Sequence, residues 1–198
     1  MTAKIRSTQM ELAAMTTDID GARRLAQELG GRLYCDAREN WQKLPFRALL
    51  TATTDDITAM ERIADVGLSL ICRRTVKDGP KSHIGLFPVV RKPSLSHQQA
   101  DAHWRDVHAP LALVHHAAMS FYHQCSVVHH LSGAQFDGFA MCGFESHDDF
   151  RNNFYSTPES VKIISDDVAL WAAIKQAPNR LIAQESDYRQ TSQISYAQ

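Results

Sequence analysis

The sequence predicts an α+β fold built from two successive βαββαβ units, and three observations carry that expectation. Apolar residues alternate with a period of two in some segments and recur three and four apart in others. These segments follow one another as strand, helix, strand, strand, helix, strand. The same order then repeats after Asp78-Gly79-Pro80, a cluster that punctuates the chain.

Residues 10–16 read as a strand. Thr17 can cap a helix over 18–29, with Ala22, Leu25, Ala26 and Leu29 on one face. Gly30-Gly31 ends that helix. A strand over 32–36, a polar loop with Trp41 and a strand over 46–52 come next. Thr54 can cap a second helix over 55–65, which Gly67 closes, and 68–74 is again a strand. Past the punctuation, 84–90 is a strand. Ser96 and Gln99 form a capping box for a helix over 96–107. Strands over 121–129 and 137–144 flank a turn at Leu131-Ser132-Gly133. Ser146 caps a helix over 147–155, Thr157 with Pro158 starts another, and 179–185 makes the last strand. Each half has the ferredoxin-like order, so the chain divides into a degenerate unit, 1–78, and a second unit, 79–198. Each sheet alone would leave a face unburied. Stacking the two within one chain, as an internal pseudo-dimer, buries it.

Composition narrows the function. The 198 residues are 44% hydrophobic with a net charge of −1, which marks no basic nucleic-acid surface. No apolar run approaches the ~18 residues of a membrane span, and the basic N-terminus leads into no signal-peptide core. The four cysteines form no Cys-x-x-Cys pair, which is expected of a reduced, cytoplasmic protein. There is no Gly-x-Gly-x-x-Gly and no Walker-type loop. The ten histidines include the doublets 115–116 and 129–130, but adjacent side chains point apart. No metal and no cofactor is expected.

The segment His103-Trp104-Arg105-Asp106-Val107-His108-Ala109-Pro110-Leu111-Ala112 concentrates the candidates. Ala100, Trp104, Val107 and Leu111 form a stripe at helical spacing. His108, four residues after Trp104, shares that face, and Pro110 should end the helix. Histidine ordinarily titrates at about 6.5, which suits His108 to general acid–base work. It could equally bond a backbone carbonyl and fix the helix end. His103 lies about 140° from His108 on a regular helix, and with Arg105 and Asp106 it reads as solvated. On the strand over 121–129, Tyr122 and Gln124 share a face. That face is placed toward the barrel interior, where the pair would orient a ligand or satisfy buried backbone groups.

Lys92-Pro93-Ser94-Leu95-Ser96, the His103-to-Leu111 stretch and Phe136-Asp137-Gly138-Phe139-Ala140 resemble the EthD family, over roughly 83–187. The resemblance implies the dimeric α+β barrel fold, which relatives usually assemble from two chains, so a homodimer is possible. Relatives include polyketide cyclases, dehydratases and an accessory protein of ether degradation. The first unit lacks the Trp-x-x-x-His-x-Pro-Leu signature, which places any chemistry in the second. Tyr122 and Gln124 match a Tyr-x-Gln pattern of the family. Where relatives often carry Glu on the Asp-Gly-Phe strand, this chain has Met141, which cannot move a proton. The second acid–base role then falls to Tyr122, Asp137 or Asp167, although Asp166-Asp167 could simply cap a helix. The expectation is a cofactor-independent lyase, dehydratase, cyclase or isomerase acting on a hydrophobic or aromatic small molecule. His108 would move the proton and Tyr122 would hold an oxygen, while Trp104, Gln124, Phe139 and Met141 would line the site. The alternatives are a carrier or accessory protein without chemistry, and a haem-binding barrel.

Overall fold

The computed structural model describes residues 5–189. Within them eight strands close a barrel: β1 (Ser7–Thr16), β2 (Arg32–Cys35), β3 (Ala48–Ala52), β4 (Gly67–Lys77), β5 (His83–Val89), β6 (Met119–Gly133), β7 (Gly138–Phe144) and β8 (Leu181–Asp187). Around the barrel the order is β4-β1-β3-β2-β8-β5-β7-β6, and β6 returns to β4. Every neighbouring pair is antiparallel. The two halves of the chain meet twice, at β2–β8 and at β4–β6. No helix among the described residues is long and apolar enough to cross a membrane.

Helices cover the outside of this barrel. Over the first half lie α1 (Ile19–Leu29) and α2 (Ile57–Glu61). Ala22, Leu25, Ala26 and Met60 pack there on Leu12, Ala14, Leu33 and Leu50. Asp18, not Thr17, caps α1, and Gly30 ends it at φ 64°. Thr17 instead bonds Asp65 through its backbone N–H at 2.8 Å. That tie draws Asp65 out of α2, which is shorter than the sequence suggests. Over the second half lie α3 (His97–His103), a π-helical turn (Trp104–His108), α4 (Ala109–His115), α5 (His147–Asn152) and α6 (Pro158–Trp171). The strand expected to stop before Leu131 runs on to Gly133, because β6 keeps pairing with β4 as far as Gly67.

Alternation along the strands sorts side chains into two buried layers. Ala13, Met15, Tyr34, Leu49, Ile71, Phe121, Cys125, Phe139 and Met141 fill the barrel interior. Tyr122 and Cys142 pack outward against α4 and α5. This reverses the expected placement of Tyr122 and Gln124, which face the helix layer, and separates them from Phe139 and Met141, which face inward. Both faces of the sheet are covered, so both alternating sets are buried. Nothing in the pattern then says which set is inside.

One end of the interior is ionic. Two positions beyond Ala13 and Ile71, the inward residues become Glu11 and Arg73, both 2% exposed. Arg73 donates to Glu11 Oε2 at 2.7 and 2.9 Å, to Thr51 Oγ1 at 2.8 Å and to the Tyr34 hydroxyl at 3.2 Å. Arg32 reaches Glu11 Oε1 at 2.6 Å. Burial pushes the Glu11 carboxyl up, but the two guanidiniums outweigh it and hold the group below the usual carboxylate range. His123 sits beside Arg73. Burial, reinforced by Arg73, Arg32 and Lys81, pushes it down to about 2.

That shift sets a pH dependence. The unfolded chain protonates this histidine below about 6.5, whereas the folded chain does not. Stability is therefore full above about 6.5 and falls with pH below it. The contribution of His123 lost by pH 5 is about 2 kcal/mol. Urea unfolding at pH 7.5, 6 and 5 should show the decline, and His123→Gln should flatten it. Equal slopes for the two proteins would refute the assignment.

Candidate functional site

The site is built around a helix that does not stop where Pro110 suggested. Ser96 and Gln99 form the capping box that starts α3. Pro110 has no N–H to donate, and its ring crowds the preceding turn. The chain answers by widening that turn rather than ending the helix: the Ala109 N–H bonds Trp104 O, five residues back. A turn with i→i+5 bonds rotates the residues beyond it. Val107, expected in the buried stripe, swings out to 45% exposure, while Trp104 and His108 stay buried. His103 and His108, five apart, come onto the same side.

Both histidines meet Asp167. Thr157 caps α6 with Pro158 in its first turn, and the helix buries Ser160, Ile164, Asp167 and Trp171. That stripe, spaced four, three and four, faces the π turn. Asp167 Oδ2 lies 2.7 Å from His108 Nδ1, and Oδ1 lies 2.8 Å from His103 Nε2. Burial pushes the Asp167 carboxyl up, yet the hydrogen bonds and charge of His108 and His103 outweigh it and lower the group. An ionised Asp167 only accepts. In the neutral ring the His108 proton therefore sits on Nδ1, and that tautomer leaves Nε2 with a free lone pair. His103 is thus a partner of Asp167, not the solvated residue expected. Arg105 and Asp106 are on the outer face and pair with each other at 2.7 Å.

Beside His108 lies a cavity of about 300 Å³, bounded by Phe87, Trp104, Tyr122, Cys142, Phe154 and Trp171. It sits between the outer face of the sheet and the helices. Trp104 and Trp171 stack with centroids 5.7 Å apart at 19°. The Tyr122 hydroxyl accepts from Trp104 Nε1 at 3.2 Å and from Gln124 Nε2 at 3.1 Å. Burial raises the phenol well above its ordinary value, so Tyr122 keeps its proton and can offer it to an oxygen in the cavity. Burial pushes the Cys142 thiol up to about 12, which leaves it a neutral wall. His116 also lines the cavity, with Nδ1 held by Phe154 O at 2.6 Å.

The structure thus unites Trp104, His108 and Tyr122. Gln124 stands behind Tyr122 and does not reach the cavity wall; it also bonds Trp104 O at 2.9 Å. Phe139 and Met141 are on the far side of the sheet, so a carboxylate at 141 would not meet His108 here. Asp167 on α6 has that place. Asp137 is committed to the Arg91 backbone and side chain at 2.8 and 2.9 Å. Asp167 carried a usable sequence signal, since it lies on a buried helical stripe where a carboxylate needs a partner. Trp171 and His116 carried none beyond their apolar neighbours.

Two solved structures share this fold. One is described as an anthrone oxidase-like protein, with TM-score 0.50, 12% identity, and 95% of this chain and 96% of that chain covered. The other is a provisionally assigned monooxygenase from Lactobacillus acidophilus NCFM, with TM-score 0.50, 8% identity, and 92% and 97% covered. No curated protein matches the sequence. The family model of the EthD domain matches residues 92–174, the stretch that supplies Trp104, His108, Tyr122, Asp167 and Trp171. Over residues 92–174, then, this chain is similar to the EthD domain.

Proposed function

We propose that the cavity binds an apolar aromatic carbonyl or phenolic compound and that His108 removes a proton from it. One observation carries this: Asp167 fixes the His108 proton on Nδ1, which leaves Nε2 as an acceptor at the edge of an apolar cavity. In the step, the C–H bond beside a carbonyl breaks, its proton goes to Nε2, and its electrons form an enolate. Asp167 stabilises the resulting imidazolium, and the Tyr122 hydroxyl donates to the enolate oxygen. The enolate can then isomerise, eliminate, cyclise or react with dioxygen. The descriptions of the two solved relatives favour the last route, and they guide the choice of probe.

The test isolates the proposed step. Anthrone, held without oxygen in D2O with the protein, should exchange its methylene protons faster than in buffer. Tyr122→Phe should slow the exchange by about 10², read by proton NMR. Binding without accelerated exchange would make the protein a carrier. Absence of binding, read from Trp104 and Trp171 fluorescence, would remove the aromatic-ligand reading.

We also infer that residues 1–78 and 79–198 are two ferredoxin-like units paired as a pseudo-dimer. The strand orders β4-β1-β3-β2 and β8-β5-β7-β6 support this reading, since each is the order of a βαββαβ sheet.

A further inference from the structure

The ionic end of the barrel encloses a second cavity, of about 350 Å³, on the opposite side of the sheet from Tyr122. Its wall includes Arg32, Arg73, Lys81, His123, Glu185 and Arg189. We propose that it is a binding site for a small oxyanion, a carboxylate or a phosphate, distinct from the cavity at His108.

His123 supplies the first argument. Its Nδ1 lies 3.2 Å from Arg73 Nη1. A guanidinium only donates, so Nδ1 accepts and the ring proton sits on Nε2. That nitrogen is buried and meets no partner among the described residues, although the residue lines the cavity and is only 7% exposed. A buried donor left unmet costs about 1–3 kcal/mol. The missing partner must be an acceptor.

Charge supplies the second argument. Arg6, Arg32, Arg73, Lys81 and Arg189 line the cavity, against Asp78, Glu185 and Asp187. Glu11 stands just behind them, on Arg73. Five cations thus face four carboxylates. Most are paired: Lys81 with Glu185 at 3.0 Å, Arg189 with Asp187 at 2.5 Å. Among the described residues one positive charge is left over. The field is felt at His123, where Arg73, Arg32, Lys81 and Arg189 all oppose a proton. A water could meet the His123 N–H, but only an anion meets both the donor and the surplus charge.

The test uses inorganic phosphate and malonate as probes, titrated calorimetrically against sodium chloride of equal ionic strength. One of the two should bind saturably, one per chain, with Kd near or below about 1 mM. Which one binds tells phosphate from carboxylate. Lys81→Glu should weaken it at least tenfold, and Arg189→Ala, at a more exposed position, should weaken it severalfold if Lys81→Glu does not fold. Imidazole nitrogen NMR should find the His123 proton on Nε2, and its resonance should move with the probe. The proposal fails if neither probe saturates by about 10 mM, if both variants bind as tightly as the parent, or if the proton is on Nδ1.

Discussion

His108→Ala should lower anthrone deprotonation by about 10²–10⁴, the contribution of a positioned base, and should leave anthrone affinity within a few-fold. The asymmetry follows from the geometry. Binding area comes from Phe87, Trp104, Phe154 and Trp171, whereas Nε2 of His108 offers the lone pair. His108→Gln should be nearly as slow, since an amide keeps polarity but takes no proton at neutral pH. Asp167→Asn should also be slow for a different reason. Its amide can donate to Nδ1, which moves the ring proton to Nε2 and removes the acceptor from the cavity. Exchange rates at saturating anthrone, with fluorescence titration for affinity, separate the two effects. If His108→Ala keeps near-parental exchange, the histidine only supports the π turn.

Arg73→Ala should cost about 3–5 kcal/mol, the range for removing one member of a buried ion pair, and should lower the melting temperature by roughly 10 °C or more. Arg73 is 2% exposed and holds Glu11, Thr51, Tyr34 and His123 together. Its loss leaves Glu11 with Arg32 alone and strips the Thr51 hydroxyl of its donor. Replacing the pair together, Arg73→Met with Glu11→Leu, should recover part of the loss, because neither of those charges then stays buried, while Arg32 loses Glu11 and keeps Asp187 at 3.8 Å. Denaturant unfolding of the three proteins checks this. A single-variant loss below about 1 kcal/mol would mean that Arg32 alone satisfies Glu11.

Much of the fold was legible because strand and helix periods differ so plainly. The caps at Ser96, Ser146 and Thr157 and the stop at Gly30 stand where the residues placed them. Trp104, His108 and Tyr122 were legible as a group. Two things were not. Alternation cannot tell inside from outside when helices cover one face of a sheet and a barrel core fills the other, so Tyr122 and Gln124 were assigned to the wrong face, and Phe139 and Met141, which do face inward, were grouped with them. The second was the helix phase. A regular helix puts His103 and His108 far apart, and Pro110 reads as a stop. Only the widened turn after Trp104 brings both histidines to Asp167, and Asp167 itself lies on α6, far along the chain.

Barrel closure by a single chain has a consequence for behaviour on dilution. Strands that pair β2 with β8 and β4 with β6 within one polypeptide leave no open sheet edge along the barrel. Such edges are where chains pair with strangers and aggregate. A barrel assembled from two chains comes apart as concentration falls, by mass action. Here the same closure is unimolecular. The sheet carrying Tyr122 and His123 keeps its shape at any protein concentration, and every folded chain carries its own complete pair of cavities.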